Sequence, residues 1–168
     1  AALADIDGDG DLDLYVAAYK VESAADVLRP YENASVELVV EGPDGPEIVE
    51  AFRGHFRIET RDGVEVAVEQ ADTDRLYLND GTGAFAAVSW TEGRFLDQDG
   101  RPLTRDLDDF GLAVGFFDVD ADGDPDLYVC NDFDDPDQLW INDGAGTFTA
   151  AAPFALRTTS HASMAVDF

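Results

Sequence analysis

The chain has 168 residues, 45% of them hydrophobic and 11% aromatic, enough for a folded core in a domain of ordinary size. A formal net charge of −27 argues against nucleic acid or an anionic membrane surface as partner, because both would be repelled. Cys130 is the sole cysteine, which leaves no intrachain disulfide framework and no cysteine zinc site, and no apolar run reaches transmembrane length.

The first element is an aspartate loop, DIDGDGDLDLYV, at residues 5–16. Five carboxylates at alternate positions repel one another, with no benefit to folding unless a cation sits among them. Counted from the first aspartate, Asp5, Asp7 and Asp9 hold positions one, three and five, where a tight coil can turn them inward together. Gly10 at position six lets the backbone bend round an ion, Asp11 offers its backbone carbonyl, and Asp13 at position nine offers another carboxylate. Oxygen donors in that number suit Ca²⁺, which takes six to eight at about 2.3–2.6 Å, better than Mg²⁺, which demands a rigid octahedron and holds its water. An EF-hand loop opens the same way but needs a bidentate Glu at position twelve and then a helix. Position twelve here is Val16, at the end of a run that reads as a strand.

From about Lys20 to Asp72 an insertion interrupts the pattern. Its stretches VELVV, EIVEAF, HFRIET and VEVAVE alternate or nearly so, with GPDGP and RDG between them as turns, so an added β-hairpin region is expected. Asn33 opens an N-x-S sequon, and His55 has no second histidine at zinc-ligand spacing. DRLYLNDGTGAF then reads as a strand, a Gly-rich tight turn and a Phe-bearing strand. DQDG at residues 97–100 reads as an Asp-Gly turn, and Asp106, Asp108 and Asp109 lie in a polar connection.

The pattern now repeats. GLAVGFF precedes a second loop, DVDADGDPDLYV, in which Asp118, Asp120, Asp122, Asp124 and Asp126 match the first set, Gly123 matches Gly10 and Val129 stands at position twelve. Cys130 follows a strand and reads as a small buried hydrophobe. DQLWINDGAGTF matches DRLYLNDGTGAF in pattern and length. Predicted strands of this unit are residues 112–117, 126–130, 138–141 and 147–151. SMAVDF, at residues 163–168, has the apolar spacing of GLAVGFF and reads as the start of a third unit. Ser160 and Ser163 flank the dipeptide that begins with His161, but no nucleophile-elbow motif accompanies them.

Four short antiparallel strands per unit describe a propeller blade, so the expected fold is all-β: about two blades of a β-propeller and the start of a third, with a β-rich insertion. The first blade takes residues 1–20 with 70–109, the insertion 21–69, the second blade 110–154, and the next begins at 155–168. Opening without Met and ending in the phase in which it begins, the chain reads as a piece of an array, with neighbouring blades of its parent as partners.

The order F-D-x-D-x-D-G-x-x-D-L-x-V, met as FFDVDADGDPDLYV and LADIDGDGDLDLYV, resembles the FG-GAP (VCBS-type) repeat of integrin α-subunit propellers. DRLYLNDGTGAF, CNDF and SMAVDF resemble bacterial proteins of the ASPIC/UnbV (CRTAC-like) group. The resemblance implies a propeller, usually of seven blades, with Ca²⁺ in the two hairpin loops. It further implies an extracellular, periplasmic or cell-surface location and adhesion or binding of a protein or carbohydrate ligand. Leu3 and Ala4 depart from the two Phe of the motif, Pro125 occupies position eight of the second loop, and the insertion has no counterpart. The resulting expectation is a non-enzymatic binding module with structural calcium. The alternatives are a propeller domain of a secreted lyase or hydrolase using Asp106, Asp108 and Asp109, and a salt-adapted acidic scaffold without specific calcium.

Overall fold

The computed structural model describes residues 1–20, 22–31, 36–132, 136–152 and 165. In chain order the elements are β1 (Ala2–Ala4), β2 (Asp13–Val16), α1 (Ala24–Leu28), β3 (Val39–Gly42), β4 (Gly45–Ile48), β5 (Phe56–Arg61), β6 (Val64–Glu69), β7 (Arg75–Asn79), β8 (Phe85–Ala87), β9 (Phe95–Leu96), β10 (Gly111–Phe117), β11 (Asp126–Asn131), β12 (Gln138–Asn142) and β13 (Phe148–Ala150). The chain divides into two compact units, one of Ala1–Tyr19 with Thr73–Phe168 and the other Lys20–Asp72.

The first unit is built from two sheets. One runs β1-β2-β7-β8, antiparallel throughout; the other runs β10-β11-β12-β13, also antiparallel, and then adds β9 in parallel on β13. Equivalent residues pair in equivalent registers, Tyr15 with Leu76 in the first and Tyr128 with Leu139 in the second. The sheets do not close, so the fold is all-β and of partial-propeller type.

Side chains alternate faces along a strand, and the two blades turn opposite faces to their common core. In β2 the buried residues are Asp13 and Tyr15; in β11 both faces are buried, Asp126 and Cys130 on one and Leu127, Val129 and Asn131 on the other, with Tyr128 half-buried. The core therefore lies between the blades: Ile6, Tyr15 and Leu76 come from the first, and Leu127, Val129, Trp140 and Phe148 from the second. Trp90 and Phe95, from the connection, complete it. Trp90 Nε1 donates to Asp74 O at 3.0 Å and its ring meets Tyr15 edge-on, while Phe95 stacks on Phe148 with ring centroids 5.5 Å apart. Each aromatic removes about 150–250 Å² from water, so this cluster dominates the burial that holds blade to blade. The alternation of the sequence does not mark β9, a two-residue strand that joins the second sheet although it follows the strands of the first.

The insertion unit carries two hairpins, β3–β4 and β5–β6, over a small core of Ile48, Phe52 and Phe56. The β5–β6 turn places Asp62 and Gly63 at positive φ, the backbone that an Asp-Gly hairpin turn requires. Two features correct the purely hairpin expectation. Ser23 caps a short helix, α1, through a reciprocal capping box with Asp26. EIVEAF is not one strand: β4 ends at Ile48, and Glu50–Phe52 form a 3₁₀ turn that swings Phe52 edge-on against Phe56. Apart from Ala165, the expected start of a third blade lies outside the described residues, as do Asn33, Ser160, His161 and Ser163.

Candidate metal centre

Each aspartate loop joins the first two strands of its blade. The position-nine aspartates are the fixed points. Asp13 is buried and accepts from Ile6 N at 3.1 Å and Asn79 N at 2.9 Å; Asp126 is buried and accepts from Val119 N and Asn142 N, both at 2.8 Å. One carboxylate thus ties the start of the loop to the end of the third strand of the blade, satisfying two backbone donors. At position one, Asp5 accepts from Asp9 N and Gly10 N, and Asp118 from Gly123 N, which wraps the loop round on itself.

This folding brings Asp5, Asp7 and Asp13 together, and likewise Asp118, Asp120 and Asp126, each trio offering oxygens within 4.8 Å of one another. Oxygens sharing an ion at about 2.4 Å lie no more than about 4.8 Å apart, so the separation suits a common cation. Positions five and seven are outside both trios. Asp9 Oδ1 accepts from Asp11 N at 2.9 Å and Asp122 Oδ1 from Asp124 N at 3.0 Å, which closes the turn at the loop tip. The carboxylates of Asp11 and Asp124 lie over Gly81 and Gly144, where any Cβ would collide with them. Their side chains serve the neighbouring turn, and what they can offer an ion is the backbone carbonyl.

Asp7 carries the strongest sign of a missing partner. Its Oδ1 is buried and makes no hydrogen bond, and burial, reinforced by the charges of Asp9 and Asp13 and opposed by Arg94, pushes its carboxyl above the ordinary range. Asp120 is shifted in the same direction, again chiefly through loss of water. A buried carboxylate oxygen without a donor is costly unless a positive charge completes it, so the donor set fits a hard cation.

The second blade covers the first loop. Asn142 Nδ2 donates to Ile6 O at 2.9 Å, a Cβ on Gly146 would lie 3.4 Å from Asp7 Cβ, and Arg94 Nη1 donates to Ala145 O and Gly146 O at the same turn.

Each blade carries a second repeated device that reading the loops alone does not show. Asp74 accepts from Tyr15 Oη at 2.7 Å and Ala18 N at 2.6 Å; Asp137 accepts from Tyr128 Oη at 2.9 Å and Asn131 N at 3.0 Å. Burial pushes Asp74 up to about 6, and both tyrosines are raised, chiefly by burial and then by the aspartate they face. The signal was present in the matching first letters of DRLYLN and DQLWIN.

The remaining candidates have structural places. Cys130 is buried, and burial followed by Asp137 pushes its thiol up to about 11, so it stays protonated at neutral pH. Asp97 Oδ1 accepts from Asp99 N and Arg101 N in a turn. Asp108 pairs with Arg105 at 2.7 Å, Asp106 approaches Arg75 at 4.0 Å, and Asp109 accepts from Gln138 Nε2. His55 O accepts from Lys20 Nζ within the insertion unit.

The FG-GAP-like repeat family model matches residues 118–168, so this stretch carries an FG-GAP-type repeat, the kind of unit from which β-propellers are built. No curated protein matches the chain, and no solved structure does.

Proposed function

We propose that the chain is a calcium-loaded, non-enzymatic propeller module. Its Asp5–Asp7–Asp13 and Asp118–Asp120–Asp126 trios each hold a structural Ca²⁺, and its other surfaces serve recognition of a protein or carbohydrate outside the cytoplasm. The observation that carries this reading is Asp7 Oδ1, buried and without a partner among two further carboxylates. Carbonyls of the position-seven residues and water complete the shell. A calcium-rich exterior would suit such loops, because extracellular calcium modules bind at about 10⁻⁴–10⁻³ M. An ion bound only by the folded state adds its binding free energy to stability, about 2.7 kcal/mol per site at a hundredfold excess over Kd. The acids weighed for catalysis, Asp106, Asp108 and Asp109, face Arg75, Arg105 and Gln138, an arrangement that supports surface pairing better than acid/base chemistry.

The test is thermal unfolding of the wild type and of Asp7→Asn in EDTA, in millimolar CaCl₂, in equal MgCl₂ and in NaCl of matched ionic strength. Calcium is expected to raise the wild-type melting temperature well beyond magnesium or sodium. Asp7→Asn should melt slightly higher than wild type in EDTA, because a repelled carboxylate is gone, and lose roughly half the calcium increment, one of the two sites. An equal response to NaCl and CaCl₂ overturns the reading in favour of an acidic scaffold governed by screening.

A further inference from the structure

The first aspartate loop is bordered by a charge that its own blade does not supply. β9 pairs in parallel with β13, Phe148 N donates to Arg94 O at 2.7 Å, and Phe95, 0% exposed, stacks on Phe148. The backbone at Arg94 is thus pinned to the second blade. Its guanidinium is pinned as well, because Nη1 donates to Ala145 O at 3.2 Å and to Gly146 O at 3.1 Å. Two carbonyls orient a guanidinium and reduce its rotamer freedom, but they do not neutralise it.

The same turn lies against the first loop. A Cβ on Gly146 would stand 2.6 Å from Arg94 Nη1 and 3.4 Å from Asp7 Cβ, so the guanidinium and Asp7 Cβ are no more than about 6 Å apart. Gly146 keeps that space clear, and its φ of 73° is one that residues with a Cβ rarely adopt. The field of Arg94 reaches Asp7, where it opposes the repulsion from Asp9 and Asp13. At this range, in partly buried surroundings, a fixed unit charge acts appreciably on a carboxylate and on any cation the carboxylate holds.

We propose that Arg94 is the built-in counter-charge of the first loop, a cation carried by the second blade that steadies Asp7 while the loop is ion-free and opposes a divalent ion when one enters. The affinity of this loop is then set by how the second blade is packed on it. The effect on the ion rests on the calcium reading above; the effect on the ion-free loop stands apart from it.

Arg94→Gln removes the charge and keeps an amide able to donate to the turn, whereas Arg94→Lys keeps the charge. The full chain carrying Asp120→Asn, which leaves the first loop to be titrated, receives CaCl₂ in an isothermal calorimeter at low ionic strength. Arg94→Gln is expected to tighten binding about three- to tenfold and Arg94→Lys to stay within about twofold of its parent. A residue that only braces the turn predicts the opposite sign, so equal or weaker binding by Arg94→Gln overturns the proposal. In EDTA, Arg94→Gln should lower the melting temperature of wild type by more than that of Asp7→Asn, where the charge has no carboxylate at position three to offset. Equal losses in the two backgrounds overturn it too. Unequal losses in EDTA, with no calcium uptake by any variant, sink the calcium reading and support the counter-charge.

Discussion

The two aspartate loops share one sequence pattern but not one environment. Ile6, at position two of the first loop, is 0% exposed, whereas Val119 at the same position of the second is 42% exposed. The difference comes from the second blade, whose NDGAG turn lies over the first loop and whose Asn142 donates to Ile6 O. The internal ties of the loops are nevertheless alike, with position one holding the loop backbone and position nine bridging to the next strand pair. A loop of this kind folds through its own carboxylates, and its burial is conferred by the neighbouring blade.

The largest expected effect tests the shared part. Asp13→Ala and Asp126→Ala should each cost about 2–5 kcal/mol in urea unfolding in EDTA, because each strands two backbone N–H groups of its loop and adjoining strand. Similar costs at the two positions support a device internal to each blade; a cost confined to Asp13 would tie it to the covering blade instead.

Acidity gives a second, smaller lever on the first blade. Asp74 titrates at about 6 in the folded protein against an ordinary 3.8, because burial disfavours its charge. The folded state therefore binds this proton more tightly than the unfolded chain. Its contribution to stability is full below about 4 and is lost as pH rises through about 6, amounting to about 2–3 kcal/mol. Denaturation midpoints in EDTA between pH 4 and 7 should show wild type gaining on Asp74→Asn as pH falls, and parallel curves would refute the assignment.

The third test addresses the part that differs. Asn142 and Asn79 both hold their turns, accepting from Gly144 N and Gly81 N, but among the described residues Asn142 reaches the loop of the other blade whereas Asn79 bonds Leu12 O of its own. Asn142→Ala should cost about 1–3 kcal/mol, since Ile6 O and Pro125 O lose their donor, and Asn79→Ala under about 1 kcal/mol, since its bond to Leu12 O is exposed. Equal costs in urea unfolding would break the comparison between covered and open loops.

Much of this organisation is legible in the letters. DIDGDGDLDLYV and DVDADGDPDLYV announce two equivalent aspartate clusters through alternating aspartates about a glycine, and paired NDGTG and NDGAG turns announce the hairpins. Asp74 and Asp137 were visible as repeated letters but not as acceptors, because their donors, Tyr15 and Tyr128, lie far along the chain or on the facing strand. The 3₁₀ turn at Glu50–Phe52 was hidden because an apolar run records hydrophobicity without saying which core claims it.

Carboxylate spacing, strand period and turn type are thus set by the sequence alone, because each depends on residues within about a dozen positions. Tertiary structure decided which face of each blade turns to the shared core and why Asp7 rather than Asp120 has a buried partnerless oxygen. Both follow from one blade packing on the next through Trp90, Phe95 and Asn142, contacts between distant segments that local pattern cannot encode.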